Sequence, residues 1–120
     1  MSKKVSVIIP VYNAMTSSGG YIQRCIESVL NQQNLDKEDV EIIVINDGSK
    51  DNSYEVLRQI AKKNKGRITL IDQANSGAAN TRNRAIDMAK GEYLTFLDQD
   101  DWIDGDYLTT LITSIVSRKT

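Results

Sequence analysis

Histidine is absent from this chain of 120 residues, and cysteine and proline each occur once, as Cys25 and Pro10. Without histidine the chain contains no serine-histidine-aspartate triad, no imidazole metal ligand and no histidine general base. A lone cysteine forms no disulfide within the chain, which fits a reducing compartment. We therefore expect the cytoplasm, or the cytoplasmic face of a membrane, as the location.

Long apolar runs and an excess of charge of one sign are absent as well. No stretch reaches the length of a signal-peptide core or a membrane-spanning helix, although membrane association of a longer protein stays open. The 15 basic and 16 acidic residues give a net charge of −1, so the composition offers no argument for nucleic-acid binding. A hydrophobic content of 40% in 120 residues suits one domain with a modest core.

The chain instead shows a regular alternation of two periodicities. Short apolar, β-branched runs predict four strands, over residues 4–12, 40–47, 67–73 and 92–98. Apolar residues at helical spacing predict four helices, over 21–33, around 56–61, over 77–90 and within 104–117. Right-handed crossovers between such elements give a mainly parallel sheet with helices on both faces. The predicted fold class is therefore α/β, a Rossmann-like three-layer α/β/α arrangement.

Polar and acidic residues follow every predicted strand, in "PVYN" (10–13), "NDGS" (46–49), "DQANSG" (72–77) and "DQDD" (98–101). The carboxyl ends of parallel strands lie along one edge of the sheet, and ligands bind there in folds of this class. We therefore expect Asp47 and the acids between Asp98 and Asp101 to share one site.

Two ordinary explanations of these acidic segments stay open. "NDGS" also suits a strand-to-helix turn in which Gly48 takes a positive φ, while Ser49 and Asp51 can cap the following helix. "DQDD" also suits a solvated loop in which Asp101 or Asp104 caps the last helix.

Familiar calcium and phosphate motifs do not account for "DQDD". Counted from Asp98, an EF-hand loop lacks its acids at the fifth and twelfth positions. The chain contains neither a P-loop nor a dinucleotide-binding G-x-G-x-x-G. Asp98 and Asp100 can face one pocket and present the hard oxygen ligands that Mg²⁺, Mn²⁺ or Ca²⁺ prefers. Such an ion would let an anionic diphosphate approach, and Tyr12 and Asp47 at neighbouring strand ends offer a base both stacking and a hydrogen-bond acceptor.

Three blocks carry a resemblance: "VSVIIPVYNA", "VINDGSKDNS" and "QANSGAANTRNRAIDMAKGEYLTFLDQDD", in this order. Together they resemble the nucleotide-binding half of a family 2 glycosyltransferase with the GT-A fold, from about residue 5 to about residue 111. The resemblance implies a divalent metal, Mn²⁺ or Mg²⁺, held by Asp98 and Asp100. It implies a nucleotide-binding set that comprises Pro10, Val11, Tyr12, Asp47, Arg82, Asp98 and Gln99.

The family pattern also implies a role for most of these residues. Asp47 would hydrogen-bond the base, usually uracil, and Tyr12 with Val11 would pack on it. Asp98 would lie near the ribose and the metal, and Asp100 would bind the metal directly. The basic position of the third block would contact the nucleotide or order the acids, unless Arg82 forms an ordinary ion pair on the helix surface.

The implied activity is inverting transfer of a sugar from a nucleotide-diphosphate donor, expected to be a UDP-sugar, to a saccharide or lipid-linked acceptor. The acceptor-binding half, which carries the catalytic base in the family, has no counterpart here. We therefore assign no catalytic residue within the chain and expect the base beyond Thr120.

Residues 1–120 are accordingly expected to be the donor domain of a truncated, longer enzyme. The alternative is a nucleotide- and metal-binding fragment without transferase activity. A third interpretation is a flavodoxin- or receiver-like signalling domain, which has the same α/β order. That interpretation does not by itself account for Tyr12 or for the segment "NSGAANTRN".

Two segments depart from the family pattern. Residues 14–20 form a longer connection than the usual turn after "YN", and Gly105 stands in a region where proline is frequent. A truncated sheet would also leave apolar surface uncovered, which makes self-association a further expectation.

Overall fold

The computed structural model describes residues 3–17 and 21–119. A 3₁₀ turn over Lys37–Asp39 precedes the second strand. The other elements in chain order are β1 (Lys3–Val11), α1 (Ala14–Ser17), α2 (Ile22–Leu30), β2 (Val40–Asp47), α3 (Ser53–Lys63), β3 (Ile68–Gln73), α4 (Ala78–Met88), β4 (Gly91–Phe96) and α5 (Tyr107–Lys119). Within these residues, no helix is both long enough and apolar enough to cross a membrane. Thr120 lies outside the described residues, so the expectation of a catalytic base beyond it stays a prediction.

The four strands form one parallel sheet in the order β3-β2-β1-β4. The two central strands, β1 and β2, are buried on both faces, which explains their nearly continuous runs of valine and isoleucine. The register pairs Val11 with Asn46, and Asp47 with Gln73, so the polar strand ends line up along one edge. The predicted α/β class and parallel sheet are confirmed.

Helices cover both faces of the sheet, as the alternating pattern predicts. Val7 and Ile9 of β1 belong to the larger core, which includes residues of α2, α3 and α5. Ile8 of the same strand points to the other face, where it packs with Ala85 of α4. Because successive side chains of a strand face opposite sides, β1 contributes to both cores.

The connection after β1 contains an ordered element that the sequence does not predict. Residues 14–17 form α1 because the carboxylate of Asp51 accepts hydrogen bonds at its N-terminus. Asp51 Oδ2 lies 3.1 Å from the amide nitrogen of Met15, 3.0 Å from that of Thr16 and 2.9 Å from the Thr16 hydroxyl. Residues 18–20 of the longer connection lie outside the described residues.

Ser49 is not a cap of α3, and Asp51 bonds the start of the helix from one position before the N-cap residue, which itself makes no side-chain capping hydrogen bond. Asp51 Oδ1 accepts a hydrogen bond of 2.9 Å from the Ser53 amide, at the first residue of α3. Ser49 does not cap the helix: its hydroxyl donates to Asn46 Oδ1 and accepts a hydrogen bond of 2.9 Å from the Asn13 amide. Ser49 therefore joins the ends of β1 and β2 instead.

The edge strand β4 leaves part of its apolar face uncovered. Leu94 and Phe96 pair with Ser6 and Ile8 and so face the α4 side of the sheet, yet each is 40% exposed. On α4, Ile86 is 47% exposed. These three exposed side chains, which we call the uncovered patch, lie on the α4 side of the sheet, whose edge strand β4 is unpaired on one side within the described residues. Exposed apolar side chains near an open strand edge favour association.

We predict that the chain self-associates through this patch and that Leu94→Ser weakens the association, because it removes apolar surface from the patch. Sedimentation velocity over a range of concentrations measures the effect. Tyr54→Ser is the matched control, because Tyr54 is 36% exposed and lies on α3, on the other face of the sheet. A wild-type chain that stays monomeric at every concentration would show the prediction to be wrong.

Candidate functional site

A cavity of about 550 Å³ opens at the carboxyl ends of β1 and β2, a volume within the range of small-molecule sites. All eight residues predicted for the nucleotide or the metal line it: Pro10, Val11, Tyr12, Asp47, Arg82, Asp98, Gln99 and Asp100. The sequence reasoning missed four other lining residues, which are Asn75, Gly77, Ala78 and Thr81. Helical spacing could have found two of them, because positions 78 and 81 share a face of α4 with Arg82.

Asp47 closes one wall of the cavity by accepting hydrogen bonds from the loop after β3. Its Oδ1 lies 2.9 Å from Gln73 Nε2 and 2.8 Å from the Ser76 amide nitrogen, and its Oδ2 lies 3.2 Å from the Gly77 amide nitrogen. Asn75 adds a hydrogen bond of 3.1 Å to the main-chain oxygen of Asp47. These contacts fasten the loop over residues 73–77 to the end of β2.

The same contacts determine the charge of Asp47. Burial by itself would raise the pKa of this carboxyl, which is only 6% exposed. The hydrogen bonds from Gln73, Ser76 and Gly77 outweigh burial and hold the pKa below its usual range. Asp47 therefore carries a full negative charge at neutral pH.

Gly48 takes a positive φ of 67° next to Asp47, as the turn interpretation predicts. A Cβ at this position would lie 2.5 Å from the Asn75 amide nitrogen, so glycine is also required for the close approach of the two loops. The segment "NDGS" is therefore both a strand-to-helix turn and a wall of the cavity.

Gln99 fixes the end of β1 to the loop after β4. Its Oε1 accepts a hydrogen bond of 2.8 Å from the Tyr12 amide, and its Nε2 donates one of 3.1 Å to the Tyr12 carbonyl. This leaves the Tyr12 side chain 42% exposed at the cavity, whereas Val11 is buried with its side chain in the larger core. The side-chain amide of Gln99 therefore bonds the Tyr12 main chain even when no ligand is bound.

Asp98, Asp100 and Asp101 bring three carboxylates together at the end of β4; we call them the acid cluster. One carboxylate oxygen from each lies within 4.8 Å of the others, and all three residues are exposed. A turn in which the Asp101 amide donates to the Asp98 carbonyl, at 3.0 Å, produces this arrangement. In the described part of the chain, the ion pairs join Lys4 to Asp39 and Arg58 to Glu55, and none reaches the cluster.

The acid cluster fits a divalent cation. Its carboxylate oxygens are hard ligands of the type that Mg²⁺, Mn²⁺ and Ca²⁺ prefer, and a cation would relieve their mutual repulsion. The structure adds Asp101 to the predicted pair of Asp98 and Asp100. Near the start of the last helix, Gln32 Oε1 accepts the Leu108 amide at 2.8 Å, so at this amide a glutamine takes the place that the alternative gives to Asp101 or Asp104.

Cys25 lies beneath the acid cluster as a neutral thiol. Burial raises its pKa to about 12, and the negative charges of Asp101, Asp100 and Asp98 contribute to this rise. Its Sγ lies 3.4 Å from the main-chain oxygen of Asp98, so the protonated thiol donates to that carbonyl. Cys25 is therefore a buried neighbour of the cluster and not a thiolate ligand or nucleophile at neutral pH.

Arg82 of α4 also lines the cavity. Its guanidinium carbon lies 5.6 Å from the centre of the Phe96 ring, within the range of a cation–π contact. Among the residues that the structure describes it forms no ion pair, which disfavours the ordinary surface ion pair. A nucleotide contact for Arg82 remains a prediction.

Comparison with known proteins decides the family, because the model of glycosyl transferase family 2 matches residues 6–120. The chain belongs to glycosyltransferase family 2. Among its relatives, glycosyltransferase GlyA of Streptococcus pneumoniae is 39% identical over 94% of this chain and 15% of the relative. Chondroitin synthase of Pasteurella multocida is 37% identical over 97% of this chain and 11% of the relative. This family 2 chain thus spans less than one sixth of the length of either relative.

Solved structures confirm a GT-A glycosyltransferase fold. S. aureus TarS in complex with UDP-GlcNAc is 31% identical to this chain with a TM-score of 0.79, over 95% of this chain and 31% of TarS. The mannosyltransferase PcManGT of Pyrobaculum calidifontis, in complex with GDP-Man and Mn²⁺, is 23% identical with a TM-score of 0.76, over 96% of this chain and 32% of that chain. At 23% sequence identity, the similarity to PcManGT supports a shared fold and no more.

The hydrogen bonds of Asp47 generate a prediction on acid stability. A depressed pKa contributes stability that is present above the unfolded value of about 4 and is lost as the pH falls through the folded value. Asp47→Asn should lower the free energy of unfolding at pH 7 by about 1–3 kcal/mol. Between pH 7 and pH 3 this variant should then lose less stability than the wild type does. Urea titrations at both pH values measure this.

Asp87→Asn is the matched control, because Asp87 is an exposed acid on α4 that accepts none of the hydrogen bonds described for Asp47. The control should keep the wild-type stability at pH 7 and the wild-type loss toward pH 3. An Asp47→Asn variant with the same acid sensitivity as the wild type would contradict the role given to these hydrogen bonds.

Proposed function

We propose that this chain is the donor-binding part of an inverting glycosyltransferase that transfers a sugar from a UDP-sugar, with a divalent metal ion, to a saccharide or lipid-linked acceptor. The observation that supports this most is the convergence of all eight predicted residues on one cavity. The similarity to TarS, whose complexes contain UDP and UDP-GlcNAc, supports a uridine nucleotide as the ligand. The activity of the whole protein is part of the proposal, because the chain spans a minor share of its relatives.

In this proposal the two acidic regions of the cavity bind different parts of the donor. Asp47 is charged, and its Oδ2 accepts one described hydrogen bond, so it can accept another from an N–H of the base. The exposed ring of Tyr12 offers a surface on which the base can stack. Arg82, which also lines the cavity, can contact the anionic part of the nucleotide.

The acid cluster would hold the metal, with Asp100 and Asp98 as ligands and Asp101 beside them. When bound, the ion would neutralise charge on the diphosphate and stabilise it as a leaving group. The three carboxylates disfavour direct binding of a diphosphate without such an ion, because like charges at this distance repel.

The base that activates the acceptor is proposed to lie beyond Thr120, outside these 120 residues. The acids at the cavity are already assigned to the nucleotide and the metal, and Cys25 is a buried neutral thiol. A second candidate function follows from this division: a domain that binds nucleotide and metal and performs no transfer. Turnover of UDP-sugar onto an acceptor by this chain alone would contradict both the second function and the external base.

Calorimetric titration with UDP tests the proposed function. Wild-type chain should bind UDP at least about tenfold more tightly with Mn²⁺ than without, a gain of about 1.4 kcal/mol. Asp100→Asn should lose this gain, and its metal-free affinity should be at least that of the wild type, because the base site lies elsewhere in the cavity and one repelling carboxylate is removed.

Asp104→Asn provides the control, since Asp104 is an exposed acid of the same segment that does not belong to the acid cluster. It should retain the wild-type response to Mn²⁺. UDP binding that is absent, or that is equal with and without Mn²⁺ in folded wild-type protein, would overturn the site assignment.

A further inference from the structure

The end of α2 and the residues just after it contact the segment that follows the acid cluster. Ser28 Oγ accepts a hydrogen bond of 3.1 Å from the Ile103 amide. Four residues later, Gln32 Nε2 donates to the Asp104 carbonyl at 2.6 Å, and its Oε1 accepts the Leu108 amide at 2.8 Å. Gln32 lies two residues beyond the end of α2, and its Nε2 also donates to the Ser28 carbonyl at 3.0 Å, so the two residues are joined directly.

These contacts all fall on main-chain atoms of residues 103–108. They therefore fix the path of the backbone directly after the acid cluster, whatever side chains it carries. The main chain of Gln33 extends the same contact, because its amide donates to the Gly105 carbonyl at 2.6 Å and its carbonyl accepts from the Thr109 hydroxyl at 2.7 Å. A Cβ at Gly105 would lie 3.2 Å from the Gln33 side chain, a tight contact.

The segment with the acid cluster is thus held on two sides. On one side Gln99 is paired with the Tyr12 backbone, and on the other Ser28 and Gln32 hold the chain that leaves the cluster. Between these supports lie three carboxylates that repel one another. A segment released from one support would move its carboxylates apart and would have to be reordered when a cation binds.

We propose that Ser28 and Gln32 are positioning residues for the metal: they hold the acid cluster in the arrangement that a divalent cation requires without contacting the cation themselves. This inference rests on the proposed function. The physical basis is preorganisation, in which the cost of ordering the ligands is met during folding and not during binding. Metal affinity should therefore depend on two uncharged side chains, that of Ser28 in α2 and that of Gln32 just after this helix.

Ser28→Ala is the most direct test, because it removes one oxygen atom and leaves the Ile103 amide without its partner. The free Mn²⁺ concentration, measured by electron paramagnetic resonance in the presence of saturating UDP, gives the Mn²⁺ affinity. Ser28→Ala should weaken Mn²⁺ binding about fivefold, which corresponds to about 1 kcal/mol for one hydrogen bond. UDP affinity measured without metal should stay at the wild-type value.

Two further variants separate positioning from a general loss of stability. Ser28→Thr keeps the hydroxyl and should restore wild-type Mn²⁺ affinity. Thr113→Ala is the matched control, because the Thr113 hydroxyl donates to a carbonyl of its own helix at 2.8 Å, as the Ser28 hydroxyl does to the Cys25 carbonyl at 2.6 Å, but on an exposed part of α5. Its Mn²⁺ affinity should equal that of the wild type.

Gln32→Ala gives a second route to the same result and should weaken Mn²⁺ binding at least as much. Equal Mn²⁺ affinities of the wild type, Ser28→Ala and Gln32→Ala, with UDP binding intact, would overturn the positioning role and leave the proposed function standing. A wild-type chain that binds UDP but no Mn²⁺ would overturn both.

The single tryptophan offers a readout that needs no metal. Trp102 directly follows the acid cluster, and the Arg24 guanidinium of α2 lies 4.0 Å from the centre of its ring. If Ser28 positions this segment, Ser28→Ala should change the emission of Trp102 in the absence of Mn²⁺, and Ser28→Thr and Thr113→Ala should not. Unchanged emission in Ser28→Ala would contradict the proposal.

Discussion

Mutual repulsion among the three carboxylates of the acid cluster is the constraint on which the site depends. Asp98, Asp100 and Asp101 lie within 4.8 Å of one another at the end of an edge strand, an arrangement that folding alone does not favour. The central strands β1 and β2 supply the apolar burial, and the Gln99–Tyr12 pair and α2 hold the two sides of the charged segment. The cluster is thus maintained by its neighbours, and in the proposed function a cation completes it.

Asp47, the other acid of the cavity, differs from the acid cluster in burial and in hydrogen bonding. Asp47 is buried, and the N–H groups of the loop over residues 73–77 satisfy its charge from within the chain. This difference supports the proposed division of the cavity. Asp47 is buried and held in a fixed geometry that suits an N–H group, whereas the exposed oxygens of the acid cluster suit a metal ion. One sheet edge therefore presents two carboxylate sites with different chemistry.

The sequence was sufficient for the fold and for most of the cavity wall. Four β-branched runs alternate with helical stripes, and parallel strand ends must meet at one edge, so Asp47 and Asp100 could be placed together without a structure. The hydrogen bonds that support the site could not be predicted, because they join residues far apart in the chain. Ser49 accepts a hydrogen bond from the Asn13 amide, Gln99 from the Tyr12 amide and Gln32 from the Leu108 amide. These partners depend on which backbone groups the packing of the elements brings close to each side chain. The uncovered face of β4 was expected only in general terms.

The position of a bound manganese ion tests the central claim most directly. Crystals of the chain grown with UDP and Mn²⁺ should give one strong anomalous-scattering peak at the acid cluster, coordinated by Asp100 and Asp98 and by the diphosphate, while the uracil lies beside Asp47 and Tyr12. Bound UDP with no manganese peak at the cluster, or a peak held by other residues of the chain, would contradict the account.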